Sequence, residues 1–196
     1  MSKSNQTRAT ILKKAFDLIY VRGYQATSID EIIATTNVTK GAFYYHFTSK
    51  EQMGLAVINE VIFPEIHQAF IMPLKGADKP VKDIYKMIRH ILLDVPFFNV
   101  SNGCPLSNLV QEMSPLNADF AKALDKISDK CIDALKDSIK HGRKTGRIRS
   151  GTNEEGVAYF ILAGYWGVRN LGKLHHNQEC YANYLDELKC YLKSLQ

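Results

Sequence analysis

A run of basic and aromatic side chains between residues 40 and 50 supplies the donors that nucleic acids accept. The run contains Lys40, Tyr44, Tyr45, His46 and Lys50. Side chains of these types donate hydrogen bonds to phosphate oxygens and to base edges. Gly41 lies among them, and a helix without a side chain at that position can approach a DNA backbone closely. The chemistry that this run predicts is DNA binding.

The alternative for the same run is a helix whose aromatic residues belong to the core and whose lysines only face water. We accept this alternative for Phe43 and Phe47. Tyr44, Tyr45 and His46 cannot all point into the core of so short a helix, so we expect at least two of them to face outward. Lys50 also lies near the amino end of a predicted helix, where backbone N–H groups can receive an anion.

Charge along the chain is unevenly distributed. The 196 residues carry a formal net charge of +5, and residues 1–50 contain seven Lys/Arg side chains against three acidic ones. The remaining residues are nearly balanced, so a polyanion should prefer the N-terminal end.

The elements around the basic run are predicted to be short helices. Apolar residues recur at helical spacing almost throughout, and no strict alternation is found, which indicates an all-α fold. Gly23 should end the first helix, and Ser28 with Glu31 forms a capping box for the second. Thr39 and Ser49 are predicted to cap the third and fourth helices. Short helices packed in this order are typical of a helix-turn-helix.

The whole stretch from Thr27 to Met53 closely resembles the signature of the TetR family of transcriptional regulators. The resemblance is carried by Lys-Gly-x-x-Tyr-x-x-Phe at residues 40–47 and by Ser-Lys-Glu at residues 49–51. It implies about nine helices, with a three-helix DNA-binding domain over residues 5–65 and a ligand-binding and dimerisation domain over residues 66–196. The DNA contacts it implies are Arg8 on the N-terminal arm, Thr27, Lys40, Gly41, Tyr44, Tyr45, His46 and Lys50.

The C-terminal half predicts longer helices. All six prolines lie between Pro64 and Pro115; we expect Pro64 to bend or end its helix and Pro80 to begin the next one. In the helix predicted from residue 154 to 174, apolar side chains cover a wide arc, while Glu155, Arg169 and Lys173 share a polar stripe. So wide an arc fits either a dimer interface or a helix buried inside a monomer, and the family resemblance favours a homodimer on palindromic operator DNA.

An effector pocket is harder to identify from the sequence, because aromatic residues at helical spacing usually belong to the core. The candidates for binding an unknown small-molecule effector are His67, Phe70, Tyr85, Phe97, Cys104, Asn108, Tyr159 and Trp166. Cys104 precedes Pro105, a first-turn residue, and a thiol at a helix amino end can be reactive. A thiol-based electrophile or redox sensor is therefore an alternative function, beside a helical small-molecule-binding protein without gene control.

Several function classes lack support in the sequence. The four cysteines show no metal-binding spacing, and we find no glycine-rich phosphate loop or nucleophile motif, so we expect no metal, no cofactor and no enzymatic activity. The longest apolar run has twelve residues, 157–168, too few to span a bilayer. With no apolar stretch at the N-terminus, we expect a cytoplasmic protein that does not enter the membrane.

Overall fold

The computed structural model describes residues 3–196, which form nine helices and no strand. The all-α prediction is confirmed. The helices are α1 (Lys3–Arg22), α2 (Ile29–Ala34), α3 (Lys40–His46), α4 (Lys50–Leu74), α5 (Pro80–Leu93), α6 (Pro105–Met113), α7 (Ala118–Lys144), α8 (Glu154–His175) and α9 (Glu179–Ser194). One 3-10 turn, Met72–Leu74, ends α4, and another, Val100–Asn102, lies in the connection between α5 and α6.

The chain divides into two compact units. The first contains Met1–Pro64 and Pro105–Asp125, and the second contains Glu65–Cys104 and Lys126–Gln196. The break after residue 64 lies next to the expected boundary at 65/66. The helix α6 and the start of α7, expected in the C-terminal domain, pack with the N-terminal residues instead.

Local capping signals determine where the short helices begin. The Ser28 hydroxyl accepts from the Glu31 amide while the Glu31 carboxylate accepts from the Ser28 amide, so both halves of the predicted capping box are present. Thr39 and Ser49 cap α3 and α4 as predicted, through bonds from the amides of residues 42 and 52. Gly23 adopts φ +92°, a left-handed conformation that ends α1 at little steric cost.

The sequence predicts that Pro64 bends or ends its helix, and the helix α4 does not end there but continues to Leu74. The backbone widens into π-helical turns on both sides of the proline, at Ile58–Ile62 and His67–Ile71. A proline ring clashes with the carbonyl four residues earlier in an α-helix, and the wider turn before Pro64 changes that spacing.

Lys50–Leu74 is also long and apolar enough to cross a membrane by length and composition alone. That is weak support for a membrane span, because core helices of other proteins meet the same criterion. Polar side chains, including Glu51, Glu60 and Glu65, lie on its exposed positions, while Met53, Ile62 and Ile66 are buried. This two-sided pattern is that of a helix packed against a protein core.

The second unit is built on α5, α8, α9 and most of α7. On α7 an apolar stripe of Ile127, Cys131, Leu135 and Ile139 is buried. Two glycines of α8 allow α9 to approach. A Cβ atom at Gly172 would lie 2.6 Å from the Tyr181 hydroxyl oxygen, and one at Gly164 would lie 2.9 Å from the Tyr184 ring.

Arg169 does not lie on an exposed polar stripe of α8, and that prediction is wrong. Its exposed fraction is 0%. The guanidinium Nη1 donates to the Phe98 carbonyl at 2.8 Å and to the Tyr181 hydroxyl at 3.1 Å, while Nη2 donates to the carbonyls of Asn99 and Gly103. The three carbonyl acceptors lie in a connection 66–71 residues earlier, so no local sequence pattern marked the position as buried.

Candidate functional site

The candidate DNA-reading surface begins with the side chains that hold α3 against the first unit. Phe43 and Phe47 are buried, as predicted, and their ring centroids lie 5.8 Å apart. Because Phe43 occupies the inner face of this seven-residue helix and Phe47 follows its last residue, Tyr44 and Tyr45 between them face outward.

Tyr44 and Tyr45 are the largest exposed side chains of α3. Their exposed fractions are 45% and 79%, and Tyr45 packs edge-on against the half-buried His46 ring at 5.0 Å. Gly41 is exposed, and a Cβ atom added there would meet nothing within 4 Å. Internal packing therefore gives no reason for a glycine at this position, whereas close approach of a partner backbone does.

Lys40 stands at the first turn of α3 and pairs with an acid of α2. Its Nζ lies 2.9 Å from the Asp30 carboxylate, and both side chains are largely exposed. The hydrogen bond and charge of Asp30 raise the pKa of Lys40, which keeps the amine protonated. An exposed pair of this kind is weak, so a phosphate can replace the carboxylate as the partner of the ammonium group.

Lys50 is oriented towards the loop between α1 and α2. Its ammonium group donates to the Gln25 carbonyl at 3.2 Å and lies 4.4 Å from the centroid of the Tyr24 ring. Partial burial lowers the pKa of Lys50, and burial together with nearby carboxylates raises the pKa of Tyr24 to about 12. Lys50 thus fixes this loop beside α4 in addition to any contact with DNA.

The structure places Arg8 and Thr27 differently from the exposed donors of α3. Arg8 lies within α1 rather than on a flexible arm, where it pairs with Glu60 and stacks over the Phe47 ring at 4.9 Å. Thr27 is buried, and its hydroxyl donates to the Gly23 carbonyl at 2.7 Å. Arg8 thus packs on a residue that anchors α3, and Thr27 fixes the turn after α1.

Two polar contacts to the helix-turn-helix could not be anticipated from the N-terminal sequence. The Glu112 carboxylate of α6 accepts from the Tyr24 amide at 2.9 Å and from the Gln25 amide at 2.7 Å. Asn117 donates to Glu51, at the start of α4, at 2.6 Å. Their partners lie more than 60 residues apart in sequence, beyond the reach of any local pattern.

Models of known protein families match most of the chain. Residues 11–57 match the model described as bacterial regulatory proteins, tetR family, and residues 84–188 match the model described as tetracyclin repressor-like, C-terminal domain. The chain belongs to the tetR family of bacterial regulatory proteins. The first match contains all of α2 and α3, so the exposed donors described above lie in the DNA-binding domain of the family.

Individual tetR-family relatives agree with this assignment. An HTH-type transcriptional regulator from Lactococcus lactis is 37% identical over 62% of each chain, and the transcriptional repressor DhaR from a Mycobacterium species is 28% identical over 88% of this chain and 85% of its own. The crystal structure of a TetR-family regulator from Cytophaga hutchinsonii has a TM-score of 0.87 at 20% identity, covering 100% of this chain and 98% of its own. That structure supports the shared fold.

The predicted effector residues of this tetR-family chain lie in different surroundings. His67 lines a cavity of about 500 Å³, and Tyr85 lines another of about 340 Å³. The remaining six range from buried to exposed. Phe70 and Cys104 are buried, Phe97, Asn108 and Trp166 are half-buried, and Tyr159 is exposed. Asn108 belongs to the first compact unit, unlike the other seven.

The cavity beside His67 lies in the second unit, between the end of α4 and α7. Ser138 lines it, and the buried Ser138 Oγ has no hydrogen-bond partner among residues 3–196. Asp133, Asp137 and Lys130 lie on the same wall. A buried hydroxyl without a partner is costly unless water or a ligand satisfies it.

Proposed function

We propose that the protein is a ligand-responsive transcriptional repressor that binds a palindromic operator as a homodimer in the cytoplasm, without catalysing a reaction. The observation that carries this proposal is the outer face of α3. Tyr44, Tyr45 and Lys40 project from it, and Gly41 leaves room for a DNA backbone. A recognition helix with such a face fits the major groove. Its contacts to DNA phosphates would set its position, and its contacts to base edges would set its specificity.

A homodimer is supported by the apolar side of α8. Tyr159, Phe160, Leu171 and Leu174 are all exposed on this helix, and Gly167 beside them has open space around it. Large side chains of this kind around a glycine suit the close approach of a second helix. A two-fold dimer binds two half-sites related by the same symmetry, which makes the operator a palindrome. The half-sites lie about 34–36 Å apart when they occupy successive major grooves.

The test of DNA binding uses an operator selected from random DNA with the full-length protein. Lys40→Ala and Tyr44→Phe are each expected to weaken binding by about 1–3 kcal/mol, because each removes an exposed donor. Lys13→Ala is the matched control, since it removes an exposed lysine from α1. Affinity that falls equally in the control, or in none of the variants, would remove α3 as the reading surface.

The test of dimerisation is sedimentation of Leu174→Glu beside the wild type. A carboxylate at this exposed apolar position is expected to shift the protein towards monomer and to weaken operator binding, because a buried unpaired charge is unfavourable. Lys173→Glu changes the neighbouring exposed residue as a control. A monomeric wild-type protein would contradict this part of the proposal.

We infer that α6 couples the effector to the DNA-binding unit. Just before this helix, the Gly103 carbonyl is held by Arg169 of α8. Near its other end, Glu112 holds the amides of Tyr24 and Gln25 in the loop before α2. An effector that moves the segment carrying Gly103 would therefore displace the loop that positions the helix-turn-helix.

The cavity lined by His67 and Ser138 is the effector site we propose. Its volume of about 500 Å³ lies within the range of about 300–1,000 Å³ usual for small-molecule sites. The buried Ser138 hydroxyl, which has no hydrogen-bond partner within the described residues, would bind a polar group of the effector. Ser138→Ala should weaken binding of the effector and leave the operator affinity of the effector-free protein unchanged. An unchanged response to the effector would exclude this cavity.

A thiol sensor at Cys104 is the second candidate, because this residue lies between Gly103 and the first residue of α6. A modification there would act directly on the proposed coupling helix. The exposed fraction of Cys104 is only 2%, so the sensor requires an opening of the structure before the thiol can react. Operator release by an electrophile such as N-ethylmaleimide, lost in Cys104→Ser, would support the sensor.

A further inference from the structure

A second cavity of the C-terminal unit is surrounded by positive charge. It lies between the start of α5 and the end of α9 and has a volume of about 340 Å³. Five cationic side chains line it: Lys79, Lys82, Arg147, Lys189 and Lys193. They come from three separate stretches of the chain. We call this cavity the basic cleft.

No acidic side chain among residues 3–196 is paired with a cation of the basic cleft. Within the same residues, no aspartate or glutamate side chain lines it. The nearby Asp83 carboxylate accepts from the Lys79 amide at the start of α5. Gln196 also lines the cleft, and even a terminal carboxylate on this residue would offset only one of the five charges.

Convergence of these charges is unfavourable without a counter-ion. All five side chains are exposed, and a cavity of this volume is roughly 9 Å across, close to the Debye length of about 8 Å at physiological salt, so salt screens part of the repulsion between opposite walls and leaves the repulsion between neighbouring cations. The amino end of α5, where Pro80 is a first-turn residue, adds the positive end of a helix dipole, which the first-turn Asp83 carboxylate partly offsets. A bound anion would relieve this repulsion.

The remaining lining of the basic cleft is apolar. Val81, Tyr85 and the buried Leu192 contribute to it, and the Lys189 ammonium group lies 5.9 Å from the centroid of the Tyr85 ring. A simple inorganic anion would leave these apolar surfaces in contact with water. A ligand that also covers them gains hydrophobic stabilisation in addition to the charge contacts.

We propose that the basic cleft binds an amphipathic organic anion, an aromatic or short acyl body that carries a carboxylate or phosphate group. The apolar body lies against Val81, Tyr85 and Leu192, and the anionic group faces Lys82, Lys189 and Arg147. A volume of 340 Å³ corresponds to about eleven water molecules at about 30 Å³ each, which suits a body of one or two rings. This site is separate from the cavity beside His67 and does not depend on DNA binding.

The test is a calorimetric titration of the full-length protein with 1-naphthyl phosphate, which joins two rings to a phosphate. We expect saturable binding that is at least about tenfold tighter than that of inorganic phosphate or of neutral 1-naphthol. The carboxylate 1-naphthoate distinguishes the two anionic groups. Chemical shifts of the Val81 and Leu192 methyl groups should change during the titration and locate the ligand.

The deciding variant is Lys82→Glu/Lys189→Glu, compared with Lys126→Glu, which changes an exposed lysine of α7 outside the cleft. We expect the double variant to lose at least about tenfold in affinity and the control to stay within about twofold. Circular dichroism melting establishes that each variant is folded, and Lys82→Gln/Lys189→Gln replaces the double variant if it is not. Equal binding by all proteins, absence of binding to the wild type, or equal affinity for 1-naphthol or inorganic phosphate would each overturn the proposal.

Discussion

Arg169→Met should destabilise the C-terminal unit by about 3–5 kcal/mol. The wild-type guanidinium makes four hydrogen bonds, to three backbone carbonyls and the Tyr181 hydroxyl. Hydrogen bonds to a charged group contribute about 1.5–3 kcal/mol each, and the desolvation of a fully buried charge offsets several kcal/mol of their sum. Methionine fills much of the volume but leaves all four acceptors without their donor.

The assay is urea unfolding followed by far-ultraviolet circular dichroism, with the thermal midpoint measured in parallel. For a chain of this size, the loss corresponds to a fall in Tm of about 6–20 °C. Arg169→Lys keeps the charge but not the planar fork of donors, so it should also be destabilised. Lys173→Met is the matched control on the exposed side of α8, with an expected change within about 0.5 kcal/mol.

The reasoning would be refuted by a loss below about 1 kcal/mol in Arg169→Met, or by an equal loss in Lys173→Met. A small loss would mean that water reaches the carbonyls of Phe98, Asn99 and Gly103 when the guanidinium is absent. The connection between α5 and α6 would then be stable without its buried anchor. Arg169 would then also lose its place in the proposed coupling.

Three further outcomes follow from individual contacts. Gly41→Ala should raise the free energy of unfolding by roughly 0.5–1 kcal/mol, because the added methyl meets open space in a helix. The same change should lower operator affinity in a gel-shift titration. A gain in both stability and affinity would contradict close approach of the DNA. Glu112→Gln should lower the free energy of unfolding by about 1–2 kcal/mol and speed hydrogen exchange at the amides of Tyr24 and Gln25. Unchanged exchange would count against the coupling role of α6. A chromogenic disulfide reagent should modify the exposed Cys190 first and Cys131 last, since burial raises the pKa of the Cys131 thiol. Rapid reaction at Cys131 in the native protein would contradict its burial.

The helix-turn-helix could be predicted from sequence because its signals are local. The Ser28 capping box and the caps at Thr39 and Ser49 join residues three apart, and each occurs in the structure as predicted. Burial of Phe43 and Phe47 also follows from spacing within one short helix. A local rule needs no knowledge of what packs against the helix, and this accounts for its success here.

The sequence predictions that fail concern features with no signal in the neighbouring sequence. Arg169 is buried because carbonyls from a connection 66–71 residues earlier surround it, and a charged residue type alone argues for exposure. Pro64 is expected from sequence to bend or end α4, yet the helix continues, and the π-helical turns that accommodate the proline have no sequence signal of their own. Residue type alone indicates the effector candidates, and residue type does not distinguish a cavity wall from the core.

The contacts of α6 show why the coupling we propose depends on a helix rather than on a loop. Nine residues in α-helical geometry span about 13 Å, and a helix with Leu106, Leu109 and Met113 buried resists internal deformation. A displacement at Gly103 would therefore reach Glu112 instead of being absorbed on the way. Glu112 in turn holds two consecutive amides of the loop before α2, so the loop would have to move with it or lose both hydrogen bonds. Since Lys50 of α4 donates to Gln25 in the same loop, either outcome changes a contact that positions the recognition helix.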